Sequence, residues 1–243
     1  MAEERGLSVL SAPMMALEPL VDTRFERVLH DLQSECIDCI VFTSSNGVSH
    51  ALKLVEGSIG RGEFLKRLAC TKVAAIGAKT KRSLESLGVR VDHVPRTYSS
   101  EGLVELFAEL GVKGMRIVIL RSTHGSDQLV SGLVGLGALV DDVPVYTIKM
   151  PGDVESAKRL VKRAARGDID VFCFTSTMMV NNFLEIARSL GLADEVIARM
   201  NGAKVAAIGR PTVRALESYG IDVGIVPEEQ TIEALLDEVV SKT

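Results

Sequence analysis

The sequence predicts an α/β protein of two parallel-sheet domains, related by internal duplication and joined by two extended crossings. Three observations carry this. Residue patterns recur at one offset of about 132 residues. Short, continuously apolar runs alternate with helix-period segments. The runs lead into turns rich in Ser, Thr or Gly ahead of the next helix.

The repeat is read directly. Residues 38–44 are DCIVFTS and residues 170–176 are DVFCFTS. VAAIG occurs at 73–77 and again at 205–209; LESLG at 84–88 answers LESYG at 216–220; VDHVP at 91–95 answers VGIVP at 223–227. About 25 of roughly 70 aligned positions are identical, in one register without a gap. In the first copy, residues 39–42, 73–76 and 89–94 read as strands. Helical patterns lie between them, and Gly88 is placed to close the helix over 80–87. Strands that alternate with helices imply crossovers and a parallel sheet. Their continuous apolarity implies that both faces are covered. The first copy then continues with a strand at 116–120, a helix at 126–136 and a strand at 139–146; the second ends on a helix at 232–240.

Its continuation resembles the other end of the chain: residues 6–13 (GLSVLSAP) are similar to 137–144 (GALVDDVP). The expected organisation is therefore a permuted pair of flavodoxin-like domains. The middle domain takes residues 20–145. The terminal domain combines 1–16 with 152–243. Segments 14–19 and 145–151 are the crossings, and a cleft between the domains is the expected working site. No segment matches 116–120 and its helix in the terminal domain, so that domain is expected to lack one strand and most of one helix, and a truncated or mis-set start is the expected cause.

Composition narrows the function. The chain has 243 residues, 47% apolar and 25% charged, with a formal net charge of −4. A chain of this balance has a real core and no basic surface of the kind non-specific nucleic-acid binding uses. Its apolar runs are strand-length, so no membrane span is expected. The acidic, polar start has no leader pattern, and four cysteines make no disulfide framework, so the cytoplasm is the expected compartment. With no interface patch legible, a monomer is expected.

In open parallel sheets ligands bind beyond the C-terminal strand ends, where loops enter helix N-termini. Here those loops lie at 43–47, 77–80, 121–126, 175–178 and 209–212. Their Ser, Thr and Gly residues cap helices. Singly they read as caps; as a repeated set they read as an anion-binding surface. GAKT at 77–80 lacks the first glycine of a P-loop. Cys36 and Cys39 have no second cysteine pair and no histidine partner, which argues against zinc. His30, His50, His93 and His124 are scattered without metal-ligand spacing and read first as surface or packing residues; His124 lies in a strand-end loop. Tyr146, in the second crossing, either packs there or presents its phenol to a ligand.

Taken together, IVFTSSNGV (40–48), VAAIGAKTKRSLESLG (73–88), YSSEGL (98–103), VPVYTI (143–148), FTSTMMVNNF (174–183) and VAAIGRPTVRALESYG (205–220) resemble the uroporphyrinogen-III synthase family over nearly the whole chain. The resemblance implies cyclisation of hydroxymethylbilane to uroporphyrinogen III, with loss of water and inversion of the last ring, and without cofactor or metal. It implies that Tyr146 is catalytic. Ser44, Ser45, Thr80, Ser176 and Thr212 are the implied substrate contacts, with backbone N–H groups at Gly77 and Gly209, and charge from Arg210; Lys79 reads as solvated. The rival reading is a two-lobed binding or sensor protein for an anionic small molecule, without catalysis.

Overall fold

The computed structural model describes every residue except Glu35 and Thr243. The chain opens with a 3-10 turn, Glu3–Arg5. It then runs β1 (Ala16–Pro19), α1 (Thr23–Gln33), β2 (Cys39–Phe42), α2 (Ser45–Glu56), α3 (Arg61–Ala69), β3 (Lys72–Ala75), α4 (Ala78–Glu85), α5 (Ser100–Leu110), β4 (Arg116–Ser122), α6 (Gln128–Gly135) and β5 (Leu139–Lys149). It continues α7 (Glu155–Arg166), β6 (Val171–Phe174), α8 (Thr177–Ser189), α9 (Ala193–Asn201), β7 (Lys204–Ala207), α10 (Arg210–Glu217) and α11 (Ile232–Lys242). Two compact units result: Leu17–Ile148, and Met1–Ala16 with Lys149–Thr243. The two expected crossings are not bare linkers. Most of each is strand, in β1 and the end of β5, which are neighbours in one sheet.

In the middle unit the sheet order is β1-β5-β4-β2-β3, and the β5–β4, β4–β2 and β2–β3 pairs are parallel. Alternate residues of these apolar strands enter opposite layers, as a period of two requires. Ile40, Phe42, Val118, Leu120 and Val143 pack with Phe25, Val48, Phe64 and Leu84 of α1–α4. Cys39, Val41, Ile117 and Ile119 pack with Leu103 and Phe107 of α5 and Leu129 and Leu133 of α6. Each fully buried Ile or Leu contributes about 1.5–3 kcal/mol, so this three-layer packing outweighs any local preference of four-residue strands.

The expected third strand at 89–94 is only a bridge, Ala74 with His93. The reason is local. Asp92 turns its carboxylate to the Val73 N–H at 3.0 Å, while the Asp92 and His93 N–H groups both donate to the Val73 carbonyl. Pro95 then offers no donor to continue the ladder. The second copy behaves alike: Gly224 and Ile225 share the Val205 carbonyl, and Ala206 bridges Ile225. Gly88 closes its helix as expected, at φ +79, with Gly88 N–H on Glu85 O and Val89 N–H on Leu84 O.

The terminal unit repeats α1–α5 as α7–α11, but among the described residues its sheet has two strands, β6 and β7. Residues 6–13, expected to match 137–144, form no strand. In the middle unit β5 takes its parallel partners from β4; the terminal unit has no such strand among the described residues, so nothing organises residues 7–13 into a ladder.

Burial pushes the Asp92 carboxyl up, but the Val73 N–H, Arg90 and Lys72 together hold it below its ordinary value. A lowered carboxyl contributes stability above its unfolded value near pH 4, which is lost as pH falls through the folded value. Asp92→Asn, which weakens the charged bond to the Val73 N–H, is expected to cost about 1 kcal/mol at pH 7. Urea midpoints should show that difference shrinking below about pH 4; a difference that stays constant from pH 7 to pH 2 contradicts this account.

Candidate functional site

The order of the parallel strands reverses between β2 and β4. A crevice opens at such a switch point, beyond the C-terminal strand ends. Ser44, immediately after β2, is extended (φ −162°) and caps α2, its Oγ accepting the Gly47 N–H at 3.0 Å. A Cβ on Gly47 would stand 3.3 Å from the Leu120 carbonyl oxygen, so glycine lets the first turn of α2 sit against the end of β4. The same Ser44 Oγ lies 3.1 Å from the Tyr146 hydroxyl.

A β-bulge aims Tyr146 at this point. Along β4–β5, Leu120 faces Val143 and Arg121 faces Pro144, but Ser122 faces Tyr146; Val145 is the extra residue. Strict alternation would send Tyr146 to the opposite layer from Val143. With the bulge, Val143, Val145 and Tyr146 all enter the same core. The Tyr146 ring is 6% exposed and stacks on His50, with centroids 4.8 Å apart and planes at 23°. The ring thus packs while its hydroxyl reaches the helix cap.

His50 was not singled out by the sequence. Its Nδ1 donates to the Asn46 carbonyl at 2.8 Å, one turn back on α2. Its Nε2 is buried and has no hydrogen-bond partner among the described residues. Only the four-residue spacing from Asn46 hinted at an inward-facing imidazole. At the ends of β4 and β5, the Thr123 hydroxyl meets Thr147 Oγ1 at 2.9 Å and His124 Nδ1 at 3.0 Å. Arg121 is buried and gripped by both oxygens of Asp142, at 2.6 and 2.7 Å. The Asp142 carboxylate, through hydrogen bonds and charge, holds the guanidinium above its ordinary value against burial, so Arg121 anchors its own loop.

The other expected residues sit at helix starts. Ser45 opens α2. Gly77 caps α4 and Thr80, buried, lies in its first turn. Ser176 caps α8, accepting the Met179 N–H at 3.2 Å. Gly209 caps α10; Arg210 is exposed at its first position and Thr212 is buried in its first turn. Lys79 is exposed. Of these residues, Ser44 and Tyr146 are joined through their side chains, and the Thr212 N–H donates to the Gly209 carbonyl at 3.0 Å within the first turn of α10. Two further neighbours went unread. A Cβ on Gly77 would be 3.0 Å from Tyr98 Cγ, and one on Gly209 would be 2.8 Å from Gln230 Cδ. Tyr98 and Gln230 occupy the same place in the two copies. Burial pushes the Cys39 thiol up to about 12, which leaves no thiolate for ligation or attack at neutral pH.

Ser44→Ala removes the cap and is expected to cost about 1 kcal/mol in urea unfolding. Ser99→Ala, which removes the equivalent cap of α5 (Gly102 N–H to Ser99 Oγ, 3.1 Å), should cost a similar amount. A cost for Ser44→Ala well below that of Ser99→Ala would mean that the Ser44 cap is not formed in solution.

Comparison with known proteins agrees over the length of the chain. The sequence model of the family described as uroporphyrinogen-III synthase HemD matches residues 1–237. The putative uroporphyrinogen-III synthase of Methanothermobacter thermautotrophicus is 31% identical over 234 residues, covering 96% of this chain and 88% of that protein. The uroporphyrinogen-III synthase of Chlorobaculum parvum is 29% identical over 226 residues, covering 93% and 85%. Among solved structures, the Helicobacter pylori uroporphyrinogen-III synthetase aligns with a TM-score of 0.67 at 18% identity, covering 95% of this chain and 91% of that one; this likeness is one of fold. On the match of the family to nearly every residue, and on relatives of this identity and coverage, the chain belongs to the uroporphyrinogen-III synthase family of porphyrin biosynthesis.

Proposed function

We infer that the chain is a lyase that cyclises hydroxymethylbilane, closing the linear tetrapyrrole to uroporphyrinogen III with loss of water and inversion of the last ring. The observation that supports this reading most directly is the Tyr146 hydroxyl held 3.1 Å from Ser44 Oγ at the switch point of the middle sheet. The substrate carries many carboxylates. Helix N-termini at Ser44–Ser45, Gly77–Thr80, Ser176 and Gly209–Thr212 offer free N–H groups and hydroxyls that suit such anions, with Arg210 adding charge. These contacts fold the chain and orient the ring to be inverted.

Departure of the terminal hydroxyl needs little acid, because the pyrrole nitrogen pushes it out. A phenol positioned at the leaving oxygen suffices. Stacking on His50 and the bond to Ser44 limit the rotation of the Tyr146 ring, so the proton is delivered along a set direction. The leaving oxygen takes the proton and departs as water. The methylene carbon left behind bonds to the substituted carbon of the last ring to give a spiro centre; the older bond at that centre breaks and re-forms at the ring's free carbon, whose proton is lost and restores the phenol. The role of the enzyme is to exclude the simple closure that leaves the ring uninverted.

The test is a coupled assay with freshly made hydroxymethylbilane, followed by oxidation and separation of the uroporphyrin isomers. Isomer III should predominate. Tyr146→Phe should lower kcat roughly 10–100-fold with KM little changed. Isomer I alone, at the uncatalysed rate, would favour the rival of a two-lobed binder for anionic small molecules.

A further inference from the structure

Among the described residues, a single buried side-chain nitrogen or oxygen has no hydrogen-bond partner: Nε2 of His50. The residue is 4% exposed. A buried acceptor without a partner is unfavourable, and a phenylalanine of similar shape would occupy the same place without that cost. Stability is therefore not what the imidazole supplies.

The other ring nitrogen shows what it does supply. The Asn46 carbonyl can only accept, so Nδ1 carries the proton in the 2.8 Å bond between them. That bond fixes the plane of the imidazole on α2. The Tyr146 ring lies nearly flat on it, at 23°. The other aromatic pairs among the described residues meet edge to face: Phe25–Phe64 at 62°, Phe172–Phe183 at 61° and Phe174–Phe183 at 67°. Aromatic pairs accept either an offset stack or an edge contact. Here the bond to Asn46 makes the choice.

The duplication supplies an internal comparison. Asn182 stands where His50 does, and the match of residues 6–13 to 137–144, carried on, puts Met14 and Met15 where Val145 and Tyr146 stand. The contacts agree: Ser176 Oγ, the copy of Ser44 Oγ, donates to Met15 Sδ at 3.9 Å. Asn182 is committed to the backbone, its Nδ2 donating to the Met14 carbonyl at 2.6 Å. In the middle unit the matching carbonyl, that of Val145, already accepts the Leu20 N–H at 3.1 Å, just after β1. The side chain at position 50 is thus released from holding the crossing, and it faces a phenol instead of a thioether.

We propose that His50 is a positioning residue for Tyr146: held by the Asn46 carbonyl, its imidazole fixes the plane of the phenol and so lets ring inversion outrun the simple closure. The inference rests on the reading of Tyr146 as the acid of the cyclisation. The linear tetrapyrrole closes uninverted on its own. A phenol that swings away from the leaving oxygen prolongs the life of the bound substrate, and that closure then competes. His50 takes no proton from the substrate; it acts through the ring stacked on it.

Ring flipping reads the positioning without any substrate. The chain has three tyrosines, so isotope-labelled tyrosine gives few ring signals in an NMR spectrum, and those of Tyr146 are identified by their loss in Tyr146→Phe. In the unaltered chain the two ε positions of Tyr146 should give separate signals. In His50→Phe, which keeps a ring but loses the bond to Asn46, they should merge, with flipping at least about tenfold faster. The same variant should keep its urea midpoint, lower kcat roughly 5–10-fold with KM little changed, and raise the share of isomer I. His50→Asn, which installs the residue that the other copy carries, is the second variant and should behave alike. Unchanged flipping in both variants overturns the proposal, as does faster flipping with kcat and the isomer ratio unchanged. A lowered urea midpoint with kcat unchanged overturns it too, and makes His50 a packing residue. Isomer I alone from the unaltered chain would instead sink the cyclisation reading and the consequence for inversion with it, while merged signals in His50→Phe would still uphold His50 as the holder of the ring.

Discussion

The parallel pairing of β2 with β4 is the contact on which the middle unit rests. Both strands are buried across their paired stretch, Cys39–Phe42 against Ile117–Leu120, and each feeds side chains to the helices on both faces. The pairing also creates the switch point, because the sheet grows in opposite directions from it. Ser44 leaves β2 there, and β5, laid on the far edge of β4, brings Tyr146 back to the same end. The terminal unit has no such contact among its described residues. Its β6 has an open edge, a central residue exposed at Cys173, and a segment at residues 7–13 with no ladder to join.

Polar groups in the middle unit are arranged around this frame at some cost in burial. Arg121 is taken out of water at the end of β4 and held by both oxygens of Asp142 from the adjacent strand. A buried charge is tolerated only with such pairing. Gly125 lets the following loop fold over it: a Cβ there would stand 2.6 Å from Arg121 Nη1. Arg116 does the same at the other end of β4 with Asp31 and Asp141. The two arginines thus clamp both ends of the central strand, which keeps the bulge at Val145, and so Tyr146, in place. His50 is the exception in this scheme. Its Nε2 is buried without a partner among the described residues, in the ring stacked on the tyrosine that the family reading makes functional.

Much of the fold was legible because its signals are local. Strand-length apolar runs, capping serines and Gly88 each act within a few residues, and the duplication let one copy check the other. The bulge at Val145 was not legible, since it depends on how β5 meets β4. Nor was the loss of the strand expected at 89–94, where the Asp92 carboxylate takes the Val73 N–H and the Asp92 and His93 amides crowd one carbonyl. Among the site residues, Ser44, Gly77, Ser176 and Gly209 could be placed as helix caps because capping is a sequence-local act. The stacking of His50 on Tyr146 joins residues on α2 and β5 and has no local signature.

The amino-acid order alone determined that this chain is a duplicated, permuted α/β protein with hydroxyl- and glycine-rich helix starts, because period, capping and repeat are properties of neighbours along the chain. The tertiary structure alone decided that a bulge at Val145 turns Tyr146 to meet Ser44 and His50. Those outcomes depend on which strands pair and in what register, and pairing is settled by packing between segments far apart in sequence.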